Sequence, residues 1–232
     1  MGSGVIHPAD EMFDPHRPDH YFEVGWSGLA SIETGLADAG VVQVRRILDV
    51  PCGHGRVLRM LRGRWPEASI TACDLSREAV DFCVASFDAH GVYSANPIEK
   101  VDCASDHDLV WVGSLLTHLD AARWPEMLGW MRDRLRPGGA LVVTTHGVGA
   151  LAKIDQGWDY GLARVDLDRA LQSYAATGFG YGPYPGDPGY GVSFSSPGWV
   201  KEAVTVVDGL ELVSHHERAW DDHHDVVSLR RV

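Results

Sequence analysis

Residues 45–147 alternate between two spacings of apolar side chains. Short apolar runs are typical of buried strands, and they occupy residues 45–50, 69–74, 108–113 and 139–145. Between these runs, apolar residues three and four positions apart predict helices over residues 55–64, 76–90 and 121–135, with a short strand near 92–95. Strands that alternate with helices in this way predict an α/β fold, in which helices cover both faces of a mostly parallel sheet.

The flanking segments follow other patterns. Residues 1–20 are rich in Pro, Asp and His and predict irregular backbone. Helical spacing is found at residues 21–39, 162–176 and 197–207, and strand patterns at 210–217 and 225–232. Residues 178–198 are rich in glycine, proline and aromatic side chains and predict a loop. At the end of the third core helix, Pro137-Gly138-Gly139 predicts a stop near Arg136.

The segment ILDVPCGHGR, residues 47–56, carries the most information about function. It predicts a buried strand, a glycine turn and the start of a helix. Gly53 and Gly55 lack a Cβ atom, so the backbone there can adopt unusual dihedral angles and a ligand can approach it closely. We therefore expect a nucleoside-like ligand on this turn.

The spacing around the turn narrows the choice of ligand. A dinucleotide fingerprint needs a third glycine three residues after Gly55, where this chain has Leu58, and no phosphate-binding Gly-Lys-Ser/Thr sequence is present. Asp74 ends the second predicted strand, where a carboxylate can accept hydrogen bonds from the two hydroxyls of a ribose. Asp49, on the first strand, would suit a ligand with an ammonium group rather than a pyrophosphate.

With these residues in place, the chain resembles the class I S-adenosylmethionine-dependent methyltransferases. Four segments carry the resemblance in the order and at about the spacing of the family: ILDVPCGHGR, ITACDLSREAVDF, DLVWVGSLLTHL and RPGGALVVTTHG. Pro51 stands where the commonest form of the family's loop has its first glycine. WVGSLLTHL and DVVSLRR also bear a weaker, partial resemblance to bacterial methyltransferases associated with glycan clusters.

The resemblance implies a Rossmann-like seven-stranded sheet, mostly parallel, with an antiparallel C-terminal strand pair. It also implies S-adenosylmethionine as cofactor, with S-adenosylhomocysteine as product. The residues that it suggests for cofactor binding are Asp49, Pro51, Cys52, Gly53, Gly55, Arg56, Asp74, Leu75, Asn96, Ser114 and Tyr21. Asn96 is the nearest candidate for the adenine contact, and an aromatic ring such as that of Tyr21 could attract the sulfonium.

We expect a single domain over residues 1–232. Its predicted parts are a helical cap (1–40), a cofactor-binding core (45–147), an acceptor-side insertion (148–198) and a closing helix with a strand pair (199–232). The glycine- and aromatic-rich stretch in the insertion is either a lid over the acceptor pocket or a surface loop.

Methyl transfer to a hydroxyl needs a base, and histidine suits that role near neutral pH. His146 and His118 follow two predicted strands at their carboxyl ends, where ligands of open α/β sheets bind, and His146 is the first choice. The leading hypothesis is O-methylation of a small-molecule or glycan hydroxyl. N- or C-methylation of a metabolite, and a non-catalytic module that binds S-adenosylmethionine, remain alternatives.

The sequence predicts no bound metal. Neighbouring histidines in a strand point to opposite faces, which disfavours chelation by His215-His216 or His223-His224. The acidic and amide ligands of a metal-dependent catechol-type enzyme would follow the fourth and fifth strands, where this chain has Gly113-Ser114 and Thr145-His146.

Composition sets the remaining expectations. The net charge of −12 argues against a nucleic-acid partner, and no apolar run approaches the ~20 residues of a membrane span. Four cysteines without a paired spacing favour a cytoplasmic location. Trp124 and Trp130, expected to be exposed, permit a homodimer without requiring one.

Overall fold

The computed structural model describes residues 4–232, without the side chains of Glu99 and Pro188. Its strands are β1 (Arg46–Asp49), β2 (Ser69–Asp74), β3 (His90–Tyr93), β4 (His107–Val112), β5 (Leu135–Thr145), β6 (Phe179–Tyr184), β7 (Asp187–Ser195), β8 (Leu210–Trp220) and β9 (His224–Arg231). Its α-helices are α1 (Pro18–Asp38), α2 (Leu58–Arg64), α3 (Arg77–Phe87), α4 (Trp124–Arg134), α5 (Val148–Asp155), α6 (Arg164–Thr177) and α7 (Pro197–Thr205). The first three residues of the predicted cap lie outside the described residues.

Seven strands form one sheet in the order β3-β2-β1-β4-β5-β9-β8. The pairs from β3 to β5 are parallel, whereas β9 runs antiparallel to both β5 and β8. The predicted α/β class, the mostly parallel sheet and the antiparallel C-terminal pair are confirmed. The chain order reverses between β1 and β4, which is where ligands bind in sheets of this kind.

Alternate residues of the central strands pack on opposite faces of the sheet. Ile47 belongs to a buried cluster with α1, α2 and α3, and its neighbour Leu48 to a second cluster with α4 and α7. Because both faces are covered, consecutive residues in the middle of the central strands are apolar, which is why these strands read as short apolar runs.

Strand β5 begins directly after helix α4, at Leu135, which is earlier than the predicted strand start at residue 139. The helix ends at Arg134, and Pro137-Gly138-Gly139 lies inside β5 instead of after a helix. Leu135 pairs with His107, and the register then shifts before Ala140 pairs with Leu109. The turn-like residues therefore occupy an irregularity in a strand: the helix ends close to the predicted position, but Pro137-Gly138-Gly139 does not form its stop.

The glycine-rich stretch after α6 is a β-hairpin, not a loop. Strands β6 and β7 pair antiparallel in a separate two-stranded sheet. Phe194 of β7 and Leu167 of α6 belong to a third buried cluster beside the two main ones. Glycines fit here because a Cβ atom built on Gly180 would overlap the carbonyl oxygen of Ala170.

Two tryptophans correct the expectation about a homodimer. Trp124 and Trp130 are 1% and 5% exposed, because both lie in the core between α4 and the sheet. Their supposed exposure therefore gives no reason to expect a second copy. In the part of the chain that the structure describes, no helix has the length and apolar character needed to cross a membrane.

Candidate active site

Two cavities open at the carboxyl ends of the central strands, and Pro51 and Asp74 line both of them. The first measures about 550 Å³, and its walls include the glycine turn after β1 and the segment after β4. The second measures about 580 Å³ and extends past β2 towards α4. Together they form a two-lobed crevice at the point where the strand order reverses.

Most of the predicted cofactor residues lie in this crevice. The first cavity is lined by Asp49, Pro51, Cys52, Gly53, Arg56, Asp74 and Ser114. The second is lined by Pro51, Asp74, Leu75 and Asn96. The structure thus brings together nine predicted residues from the carboxyl ends of β1, β2, β3 and β4 and the segments after them, and it leaves Gly55 and Tyr21 outside both cavities.

Gly53 has the conformation that the glycine turn requires. Its φ of 48° is unfavourable for residues with a side chain, and a Cβ atom built on it would meet no atom within 4 Å. Its backbone N–H donates a hydrogen bond of 2.8 Å to Oδ2 of Asp74, and the Ser76 N–H donates one of 2.9 Å to Oδ1. The Asp74 carboxylate is therefore fixed at the edge of the crevice by two backbone donors.

Gly55 has a different reason to be glycine. Its φ is 79°, and a Cβ atom there would lie 2.6 Å from the Phe87 ring and 3.2 Å from the Cys83 sulfur. The residue lets α3 pack closely against the turn. It supports the cavity floor from behind and does not line it.

Asp49 is a buried carboxylate with an unused oxygen. It is 1% exposed, and Oδ2 has no hydrogen-bond partner among the described residues. Burial, and then repulsion from Asp74, raises the pKa of Asp49 well above its ordinary value. An unpartnered carboxyl oxygen in a cavity wall is suited to accept a hydrogen bond from a cationic ligand group.

Asn96 and Leu75 lie in the second lobe with apolar neighbours. Leu115, Leu119 and Met127 line the same cavity. The Asn96 Oδ1 accepts a hydrogen bond of 3.3 Å from Arg123, which leaves its amide N–H groups free to donate. This flat, largely apolar wall with an amide donor could hold a purine ring.

The first lobe is bounded by two aromatic side chains that the sequence did not single out and by Arg56, which it did. Trp111 and Trp220 both line it, with their rings edge to face at 5.4 Å. The Arg56 guanidinium lies 5.8 Å from the centre of the Trp220 ring, and no described carboxylate is within ion-pair distance of it. Burial lowers the pKa of Arg56. The cavity therefore holds a cation that is free to bind an anionic group.

His118 lines the first lobe beside Ser114. Its Nδ1 is 2.8 Å from the Gly191 carbonyl oxygen and so donates to it, which leaves Nε2 as the proton-accepting nitrogen. The ring stacks on Tyr190 at 4.9 Å. Burial lowers the pKa of His118, so the ring is neutral near pH 7.

Ser114, the neighbour of His118, has a φ of 56° and a backbone N–H that donates 2.8 Å to Thr144 Oγ1. A left-handed conformation at a non-glycine residue costs free energy, and such strain is enriched at functional sites.

His146, the first choice for a base, does not line either cavity. It is 3% exposed, its Nδ1 donates 3.2 Å to the Ser193 carbonyl, and its ring stacks on His223 and His224. β5 ends at Thr145, one residue earlier, but the β6–β7 hairpin covers the position. The sequence could not show this covering, because it depends on a contact 47 residues away.

Tyr21 also differs from expectation. It is 1% exposed, and its hydroxyl donates 2.6 Å to Asp10. Asp10, together with its neighbours from Ala9 to Met12, lines the first cavity. The N-terminal segment thus contributes wall residues that its irregular composition did not reveal, and Tyr21 holds that segment in place.

Solved structures show the same fold. A crystal structure of an S-adenosylmethionine-dependent methyltransferase from Clostridium acetobutylicum aligns with a TM-score of 0.61 over 90% of this chain and 92% of that one, at 12% identity. Human N-acetylserotonin methyltransferase in complex with SAM aligns with a TM-score of 0.54 over 89% of this chain and 51% of that one, at 14% identity.

A family model described as a methyltransferase domain matches residues 47–139. This range contains the glycine turn, Asp74 and the segment after β4. This part of the chain is thus similar to a methyltransferase domain, and the fold of the chain is that of solved S-adenosylmethionine-dependent methyltransferases.

Curated relatives are similar to this chain over part of their length. A malonyl-[acyl-carrier protein] O-methyltransferase from Hahella chejuensis is 30% identical over 48% of this chain and 40% of its own. A trans-aconitate 2-methyltransferase from Rhodopseudomonas palustris is 28% identical over 47% of this chain and 41% of its own. The chain thus spans about two fifths of the length of these relatives.

Two independent features of the crevice suit S-adenosylmethionine. The unpartnered Oδ2 of buried Asp49 suits the ammonium group, and the open side of Gly53 leaves room for a ligand against the backbone. The two lobes meet at Asp74. The shape and donor set therefore match a molecule with an amino-acid end and a purine end.

Proposed function

We propose that this chain is an S-adenosylmethionine-dependent methyltransferase that methylates a hydroxyl oxygen of a small molecule, with His118 as the base; a non-catalytic module that binds S-adenosylmethionine remains the alternative. The observation that carries the proposal is the place of His118 on the wall of the first lobe, beside Ser114, with Nδ1 held by the Gly191 carbonyl. A glycan hydroxyl belongs to this class of acceptor. A cytoplasmic location stays a prediction.

The cofactor-binding roles follow from position in the crevice. Asp49 would hold the ammonium group, Asp74 the ribose hydroxyls, and Leu75 with Asn96 the adenine. Gly53 would let the ligand approach the backbone. When bound, S-adenosylmethionine supplies an electrophilic methyl group on a sulfonium, in the first lobe.

His118 has what a base needs. The Gly191 carbonyl fixes its tautomer, so Nε2 can take the hydroxyl proton as oxygen becomes nucleophilic. Tyr190 stacks on one face of the ring and holds its orientation. Because burial lowers its pKa, His118 is ready to accept a proton at neutral pH without first losing one.

A second candidate acceptor is a carboxylate, and Arg56 favours it. Arg56 lines the same lobe without a described carboxylate partner. Relatives of this chain carry the names malonyl-[acyl-carrier protein] O-methyltransferase and trans-aconitate 2-methyltransferase, which denote acidic acceptors. A carboxylate is already deprotonated near pH 7, so its methylation needs no base.

Replacing His118 with alanine separates the two candidates. With hydroxyl acceptors, we expect kcat to fall by about 10²–10⁴-fold while cofactor affinity, measured by titration calorimetry, stays unchanged. The control is His90→Gln, an exposed residue at the amino end of β3. A panel of hydroxyl and carboxylate small molecules is assayed with both variants. A wild-type rate for His118→Ala with its best acceptor would exclude His118 as the base.

A further inference from the structure

Three histidines from two parts of the sequence meet behind the proposed active site. His146 follows β5, His223 lies in the turn before β9, and His224 is the first residue of β9. One ring nitrogen from each lies within 4.8 Å of the others. We propose that His146, His223 and His224 bind a divalent transition-metal ion, with zinc as the first choice.

The strand argument against chelation does not apply to this group. Neighbouring residues point to opposite faces only when both belong to a strand. His223 belongs to a turn, where its backbone N–H donates to the Trp220 carbonyl. Its ring can therefore turn towards the same side as that of His224, and the two ring centres are 4.3 Å apart.

Two of the three rings already have the partners typical of metal ligands. A metal-bound histidine usually donates its other N–H to a carbonyl, carboxylate or water, which fixes the tautomer. His146 donates from Nδ1 to the Ser193 carbonyl, so its Nε2 lone pair is free. His223 Nε2 lies 2.7 Å from the Tyr160 hydroxyl, which in turn donates to the Ala150 carbonyl. Tyr160 can thus accept from His223 Nε2, which leaves Nδ1 free for a metal.

The third ring has an unused nitrogen. His224 Nδ1 is buried and has no hydrogen-bond partner among the described residues. A buried polar nitrogen without a partner costs free energy, and a metal ion would remove that cost. The His224 ring also packs against Trp220 at 4.9 Å, which limits its rotation.

The ligand set selects the metal. Three imidazoles without a carboxylate suit zinc, copper or nickel, whereas magnesium and calcium prefer oxygen ligands. Beyond the effect of burial, the positive charges of Lys153 and Arg56 lower the pKa of His223 and His224, respectively, and they would also repel a bound cation. The affinity must therefore come from coordination bonds and not from net negative charge.

The three ring nitrogens must move closer together to bind zinc. Zinc–nitrogen bonds of ~2.0–2.1 Å place tetrahedral ligand atoms about 3.3 Å apart, so the nitrogens must close by up to about 1.5 Å. Three protein ligands leave the fourth position for water or another ligand. The bound ion would join the end of β5 to the β8–β9 turn, beside Trp220 of the active-site wall.

The test is zinc binding by the protein without a histidine tag. Titration calorimetry of the full chain with zinc is expected to give one site, and magnesium none. His223→Gln and His224→Gln should each weaken zinc binding by at least about tenfold, since each removes one of three ligands. His216→Gln is the matched control, because His216 lies on β8 and bonds Asp38 instead. Unchanged cofactor affinity in each variant shows that it has folded.

Two results would overturn the site. One is a wild-type protein that binds no zinc, and the other is wild-type zinc affinity in both His223→Gln and His224→Gln. If a variant fails to fold, anomalous diffraction from zinc-soaked wild-type crystals decides. A peak between the three rings supports the site, and a peak elsewhere or none contradicts it.

Discussion

The backbone N–H of Gly53 donates a 2.8 Å hydrogen bond to the carboxylate of Asp74. This bond ties the turn after β1 to the end of β2, so the two features that identify the cofactor site are one physical unit. A ligand that rests on the turn therefore also meets the carboxylate. Any change to Asp74 acts on the shape of the turn as well as on the sugar contact.

Asp74 can be tested by two substitutions of different severity. Asp74→Ala removes the ribose acceptor and the partner of Gly53, and we expect cofactor binding to weaken by about 1–3 kcal/mol. Asp74→Asn keeps one acceptor oxygen and should lose less. Titration calorimetry measures both. The control is Asp81→Asn, an exposed carboxylate on α3 that accepts from Tyr93. Equal affinity in Asp74→Ala and wild type would remove Asp74 from the ribose contact.

Asp49→Asn should change cofactor binding and stability in opposite directions. The pKa of Asp49 is raised in the fold, so its ionisation destabilises the cofactor-free protein as pH rises through that pKa. Asparagine stays neutral, and the variant should therefore unfold at equal or higher denaturant concentration than wild type, with the difference growing as pH rises.

Cofactor binding depends on the ionised form of Asp49. Affinity of the wild type should weaken as pH falls from neutral into the acid range through the raised pKa of Asp49, whereas Asp49→Asn should bind about 10–100-fold more weakly at neutral pH and show less of this dependence. Calorimetry over that range gives the comparison. The same pH slope in both proteins would mean that Asp49 does not hold the ammonium group.

The two glycines of the turn should respond differently to alanine. Both have positive φ, so each substitution costs about 1 kcal/mol of backbone strain. Gly55→Ala also pushes a methyl group into Phe87, which adds about 1–3 kcal/mol. Gly53→Ala meets open space and should instead weaken cofactor binding. Urea unfolding and calorimetry separate the effects, and a reversed order would contradict this division of roles.

The sequence predicted the sheet and the cofactor crevice because both depend on local signals. Strand runs, helix spacing and the carboxyl-end rule place Asp49, Gly53 and Asp74 together without knowledge of any long-range contact. These residues line the cavity because the carboxyl ends of neighbouring parallel strands lie together at one edge of the sheet.

The catalytic side was harder to predict because it depends on contacts distant in sequence. His146 is covered by Ser193 of the hairpin, and His118 is held by Gly191 of the same hairpin. Since residues 178–198 predicted a loop, neither contact could be foreseen. The grouping of His223 with His146 likewise requires the β8–β9 turn to lie over the end of β5.

The hairpin itself gives the last prediction. β6 lies so close to α6 that a Cβ atom on Gly180 would overlap the Ala170 backbone, so Gly180→Ala must move the strand away from the helix. We expect a loss of about 1–3 kcal/mol of stability in urea unfolding, together with a fall in kcat, because the hairpin holds His118. Gly63→Ala is the control, because Gly63 is exposed on α2 and a Cβ atom there meets no atom within 4 Å; it should keep wild-type turnover and lose no stability. A Gly180→Ala protein with wild-type stability and turnover would show that the hairpin does not need this close packing.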